Sequence, residues 1–134
     1  MQKENRTILY VDDDADDRDI FLHAIRGVNT EVNIVFAENG VQALNYLNTA
    51  LDAHDPLPCV MVLDINMPVL DGKETFQRIK EDSRLQDLPV VIFTSSQKPS
   101  DKVLFNSLGA ELIVKPSNYN YMNSIATRML GFCG

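Results

Sequence analysis

The sequence predicts a three-layer, doubly wound α/β fold, (βα)5, with five parallel strands in the order 2-1-3-4-5 and helices on both faces. Three observations predict it. Five short apolar runs rich in β-branched residues recur along the chain, helical periodicities separate them, and the second and fifth runs are the least continuous. Strict alternation of strand and helix builds a parallel sheet through right-handed crossovers. Central strands covered on both faces read as unbroken apolar runs, so "VNIVFA", with Asn33, and the short "ELIVK", with Glu111, go to the edges.

The first strand, "TILYV" (7–11), leads into a helix with Ile20, Phe21, Ala24, Ile25 and Val28 on one face and Gly27 near its end. The second, "VNIVFA" (32–37), precedes a stripe of Val41, Leu44, Leu47 and Leu51. "CVMVLD" (59–64) is the third strand, and Phe76 and Ile79 anchor a weaker third helix. After "PVVIFT" (89–94), a helix beginning at Pro99, a residue suited to a first turn, presents Val103, Leu104 and Leu108 and stops at Gly109. "ELIVK" (111–115) is the fifth strand. Met122, Ile125, Ala126, Met129 and Leu130 mark the last helix, before Gly131.

With 134 residues, 45% of them hydrophobic, the chain fits one domain over 1–134 with a real core. The start, "MQKENRT", has no apolar segment behind it, and no stretch has the apolar length of a membrane span, so a cytoplasmic protein is expected. A net charge of −7 argues against nucleic acid, whose affinity rests on lysine and arginine neutralising phosphates. Cys59 and Cys133 match neither a metal spacing nor a disulfide framework and read as core filler and tail thiol.

The stretch "VDDDADDRD" (11–19) sets six aspartates among nine residues. Two unit charges about 4 Å apart near a protein surface interact by roughly 4 kcal/mol. Such a cluster is therefore solvated or matched to a cation. In the order 2-1-3-4-5 the winding reverses between strands one and three, and ligands bind at strand carboxyl ends beside such a point. Asp12 and Asp13 end strand one and Asp64 ends strand three, a carboxylate set suited to Mg2+, which takes oxygen ligands and phosphate oxygens. Asp14, Asp16 and Asp17 fit helix-start roles, facing free amides and the positive end of the dipole, and Asp19 is a solvated surface residue. Thr94 and Lys115 end strands four and five, bringing a hydroxyl and an ammonium that would surround a tetrahedral anion.

The motifs "ILYVDDD", "VLDINMPVLDG", "PVVIFTS" and "GAELIVKP", in that order and with Asp-to-Thr and Thr-to-Lys intervals of 30 and 21, resemble the receiver domain of bacterial two-component response regulators. The resemblance covers essentially the whole chain and implies a flavodoxin-like fold. It implies that Asp64 is the phosphoacceptor for a phosphohistidine on a histidine kinase or phosphotransfer protein. It further implies that Asp13 and Asp64 bind Mg2+ directly, Asp12 mostly through water, and Asn66 through its backbone carbonyl. Thr94 and Lys115 would contact the phosphoryl group, while Asn66 and Ser96 would flank the path of hydrolytic water. It also implies a cis bond before Pro116. Leu112 departs from the family, many of whose members carry an aromatic three residues before the lysine.

The expected protein is thus a stand-alone, chemotaxis-regulator-like phosphoacceptor rather than an enzyme, signalling by conformational change to a downstream protein. Two alternatives stand beside it. A Mg2+-dependent phosphohydrolase with an aspartyl-phosphate intermediate would use a similar crevice, but Asn66 occupies the place of a general acid two residues after the nucleophile. An interaction module that has lost phosphorylation would not need all five site residues. His23, His54, Tyr119 and Tyr121 read as surface or packing residues.

Overall fold

The computed structural model describes residues 6–134. Five parallel strands, β1 (Thr7–Val11), β2 (Asn33–Ala37), β3 (Val60–Leu63), β4 (Val90–Thr94) and β5 (Glu111–Val114), form one sheet in the order β2-β1-β3-β4-β5. The helices α1 (Ala15–Val28), α2 (Gly40–Asp52), α3 (Gly72–Glu81), α4 (Pro99–Ser107) and α5 (Met122–Leu130) alternate with them. This is the flavodoxin-like arrangement, with β2 and β5 at the edges as their sequences predict.

Successive strand residues point to opposite faces, and the core divides accordingly. Leu9, Val11, Met61, Leu63 and Ile92 pack with Ala43, Leu47, Phe76, Ile79 and Phe105 on the side of α2, α3 and α4. Ile8, Tyr10, Val60, Val62, Val91 and Phe93 pack with Phe21, Ile25, Ala126 and Met129 on the side of α1 and α5. Burying each large apolar side chain contributes roughly 1.5–3 kcal/mol, so both faces hold the sheet.

Local signals set the helix ends. Asp14, Asn39 and Asp71 cap α1, α2 and α3, accepting first-turn amides through their side chains. Gly109 takes a φ of 84° after α4, a conformation glycine adopts without steric cost. Gly27, by contrast, lies inside α1, which ends one residue later at Val28 with Asn29 as its cap.

The structure corrects several expectations. In α2 the buried face is Gly40, Ala43, Leu47 and Ala50, and Val41 is exposed. In α4, Val103, Leu104 and Leu108 are exposed, and Phe105 turns inward to meet the Phe76 ring edge to face at 5.6 Å. One large aromatic contact outweighs three smaller aliphatics in setting that helix's rotation. The peptide bond before Pro116 is trans, as are all those among the described residues. Cys59 and Cys133 form a disulfide with Cα atoms 5.1 Å apart, because α5 runs back along the sheet and its following turn (Gly131–Cys133) ends beside the start of β3. A pairing made by that tertiary return leaves no trace in cysteine spacing.

Candidate functional site

The sheet ladders continue just past the strands and fix the residues that follow them. Asp12 N–H donates to Ala37 C=O at 2.9 Å, Asp64 N–H to Val11 C=O at 3.0 Å, and Lys115 N–H to Thr94 C=O at 2.7 Å. Asp12, Asp64, Thr94 and Lys115 therefore emerge together at the carboxyl edge, where the winding reverses between β1 and β3. Carboxylate oxygens of Asp12, Asp13 and Asp64 lie within 4.8 Å of one another, with Asp12 and Asp64 buried and Asp13 exposed. Three hard oxygen donors at that separation fit a small divalent cation.

Lys115 binds this acidic crevice together. Its Nζ donates to Asp12 Oδ2 at 2.6 Å, to Asp17 Oδ2 at 2.8 Å and to Asp64 Oδ2 at 3.3 Å. Burial alone would lower the lysine pKa, but the hydrogen bonds to Asp12 and Asp17 and the surrounding charge raise it, so the ammonium persists at neutral pH. For Asp12, burial is the largest influence and raises its pKa, against the lowering supplied by Lys115 and the Asp14 amide. Asp12 Oδ1 accepts from Asp14 N–H at 3.0 Å, and Oδ2 also accepts from the Tyr10 hydroxyl at 3.2 Å. Tyr10 is buried and stacked on Phe21 at 4.3 Å, and burial followed by the Asp12 charge pushes its phenol pKa well up.

Thr94 is fully buried, and its Oγ1 accepts from Ser96 N–H at 3.2 Å. Ser96 Oγ in turn donates to Asp101 Oδ2 at 2.8 Å, and Lys73 Nζ lies 3.1 Å from Asp101 Oδ1. The Thr94 hydroxyl is thereby joined to the first turns of α4 and α3. The Ser96 hydrogen bond, then Lys73, holds the Asp101 carboxyl below the usual range.

The segment after Asp64 shapes the mouth. Asn66 N–H lies 3.4 Å from Asp64 Oδ1, and Asn66 lines an open cleft of about 430 Å3 with Asp13, Met67, Pro68, Asp71 and Lys73. Leu70 N–H donates to Pro68 C=O at 2.8 Å, closing a γ-turn around Val69, whose φ of 68° is strained for a β-branched residue. A Cβ on Gly72 would stand 2.3 Å from the Asp64 carbonyl oxygen, so only glycine lets α3 start against the loop.

The structure brings together the side chains of Asp12, Asp13, Asp64 and Lys115, with Thr94 joined to Lys115 through the backbone and Asn66 at the rim. Sequence reasoning missed Tyr10, Asp17, Lys73 and Asp101, and it named Ser96 only beside the path of water, not as the link from Thr94 to Asp101. It also missed Arg18, whose Nη1 donates to Asp12 C=O at 2.9 Å. For Tyr10 a signal existed, since two positions before Asp12 a strand side chain points to the same face. For Asp17 the helix-start explanation was sufficient and concealed the contact.

An acidic crevice holding one lysine thus lies at the reversal point of a 2-1-3-4-5 sheet. The family model described as the response regulator receiver domain matches residues 8–126, and the chain belongs to that family. It is 36% identical over 110 residues to a probable transcriptional regulator, ycf27, of Guillardia theta, covering 81% of this chain and 39% of that protein. The chain spans between 15% and 51% of the lengths of the first curated relatives it matches. Among solved structures, the phosphorylated cyanobacterial phytochrome response regulator RcpA aligns with a TM-score of 0.84 and 26% identity, covering 96% of this chain and 93% of that one. The bacteriophytochrome response regulator AtBRR aligns with a TM-score of 0.78 and 34% identity, covering 97% and 95%. No helix among the described residues is long and apolar enough to cross a membrane.

Proposed function

We propose that this receiver is a cytoplasmic phosphoacceptor: Asp64 takes a phosphoryl group from a phosphohistidine of a histidine kinase or phosphotransfer protein, and the change is passed to a downstream protein. The observation that carries the reading is the meeting of Asp12, Asp13 and Asp64 oxygens within 4.8 Å, beside Lys115 and Thr94. The phosphorylated state of RcpA supports it. We further propose a single receiver domain over residues 1–134, which the near full-length match to RcpA and AtBRR in both directions supports.

In the proposed transfer an Asp64 carboxylate oxygen attacks phosphorus in line as the bond from phosphorus to the imidazole nitrogen breaks. The nitrogen leaves with the bonding pair, and because the other ring nitrogen of the donor carries a proton, the histidine departs as a neutral imidazole. Asp12, Asp13 and Asp64, with the Asn66 carbonyl, would hold Mg2+, which when bound neutralises charge on the phosphoryl oxygens. Phosphoryl transfer asks little covalent chemistry of the protein and much positioning. Lys115 offers a compact cation to one phosphoryl oxygen, and Thr94 a hydroxyl to another once it swings toward the crevice.

The test is incubation with Mg2+ and phosphoramidate, followed by intact mass. One phosphoryl group is expected on the wild-type chain and none on Asp64→Asn, with loss of labelling on chelation. Labelling of Asp64→Asn at the wild-type level would reject the assignment, and sustained turnover of phosphate monoesters would point to a phosphohydrolase instead.

A further inference from the structure

Lys115 has three N–H donors, and three carboxylates share them. The two short contacts are to Asp12 and Asp17, and the long one is to Asp64. Asp17 belongs to α1, Lys115 to the segment after β5, so this ion pair ties the first turn of α1 to the chain that leads into α5. Resting on the phosphoacceptor reading, we propose that Asp17 is a positioning residue that parks the Lys115 ammonium in the unphosphorylated protein and gives it up when Asp64 is phosphorylated.

The asymmetry between the two short contacts carries the argument. A phosphoryl group on Asp64 sets its oxygens farther out than the carboxylate oxygen Lys115 now meets, so the ammonium must move to follow them. The Asp12 side chain is 1% exposed and is fixed by the Asp14 amide and the Tyr10 hydroxyl. Deprived of Lys115 it would keep only the Asp14 amide and the Tyr10 hydroxyl as protein partners, a costly loss for a charge so fully buried even beside a cation. The Asp17 side chain is 33% exposed and stands on a helix turn where water replaces a lost donor at little cost. Asp17 is the partner that can be released.

Release has a structural consequence in the seam beside it. Asp17, Lys115, Ile20, Tyr119 and Met122 line one small gap between α1 and the start of α5. A larger apolar groove of about 380 Å3 continues from it along Ile20, Ala24, Tyr119 and Met122. With the ion pair gone, the only polar tie across this gap among its lining residues is lost, and the seam between α1 and α5 loosens at Ile20 and Tyr119–Met122. This gives the chain a route from Asp64 to an outer face that does not depend on residue 112.

The experiment compares wild type, Asp17→Asn, Asp17→Glu and Asp16→Asn, each with Mg2+ and phosphoramidate. Two quantities are read: the phosphorylation rate by intact mass, and amide hydrogen exchange over residues 16–24 and 115–123. Asp17→Asn should be phosphorylated faster by about fivefold, the scale of one partly exposed ion pair. Its seam should already exchange, before phosphorylation, as the phosphorylated wild type does. Asp17→Glu should restore wild-type behaviour, and Asp16→Asn, which removes the same charge from an exposed carboxylate away from Lys115, should change neither quantity. The proposal is overturned if Asp17→Asn matches wild type in both, or if Asp16→Asn reproduces its effect. A wild-type chain that takes no phosphoryl group removes the phosphoacceptor reading and this proposal with it, an outcome distinct from normal labelling with an unchanged seam.

Discussion

Lys115 Nζ stands 2.6 Å from Asp12 Oδ2, with the lysine side chain 13% and the aspartate side chain 1% exposed. Each makes the other tolerable at a place largely closed to water. Removing the ammonium by Lys115→Ala leaves a buried carboxylate with weakened compensation and should destabilise the fold by about 3 kcal/mol, read from urea midpoints without added metal. Combining it with Asp12→Asn should recover part of that loss. If the double variant is no better than the single one, the pair is not the source of the cost.

Gly72 meets the acceptor loop through backbone alone. A methyl group there would overlap the Asp64 carbonyl oxygen, and both partners are main chain, so neither can rotate away. Gly72→Ala should lower stability by about 1–3 kcal/mol. It should also slow phosphorylation, because the start of α3 is displaced from the acceptor residue. A control, Gly27→Ala, where nothing stands within 4 Å of the added carbon, should not lower stability.

Acid should weaken the tie between α4 and α3. The Asp101 carboxyl is depressed in the folded protein by Ser96 and then Lys73, so its contribution is complete above the unfolded carboxyl value of about 3.9. It is lost as pH falls through the lower folded value. Urea unfolding of wild type and Asp101→Asn should therefore differ most near neutrality and converge toward pH 2–3. A difference that stays constant over that range would show that the charge of Asp101 is not what acts.

The sheet and the five strand-end residues were legible because they obey local rules. β-branched runs mark strands, edge strands tolerate polar residues, and a carboxylate one residue past a central strand has only the crevice to enter. What was hidden depends on contacts between distant positions. Asp17 and Lys115 are 98 positions apart, and nothing in the spacing of "DDDADDRD" distinguishes an aspartate that faces the helix amides from one that reaches across to a lysine. The rotation of α4 was equally hidden, since periodicity offers Val103, Leu104 and Leu108 while only the arrival of Phe76 opposite Phe105 selects the buried face. Leu112 shows the reverse case. The sequence marks it as a departure, and the structure seats it, partly buried, against the core on the α4 side, beside Ile92.

The bridge between Cys59 and Cys133 joins residues 74 positions apart into a covalent loop that contains Asp64, Thr94 and Lys115 but not Asp12, Asp13 or Asp17. The crevice is thus assembled from a macrocycle and a linear arm. A protease nick at the exposed Val69 leaves both pieces linked through sulfur, whereas a nick near Thr30 frees the arm that carries Asp12, Asp13 and Asp17 once the chain unfolds. The residues proposed to take and grip the phosphoryl group are tethered to one another even in the denatured chain, and their acidic counterparts must be recruited afresh each time it refolds.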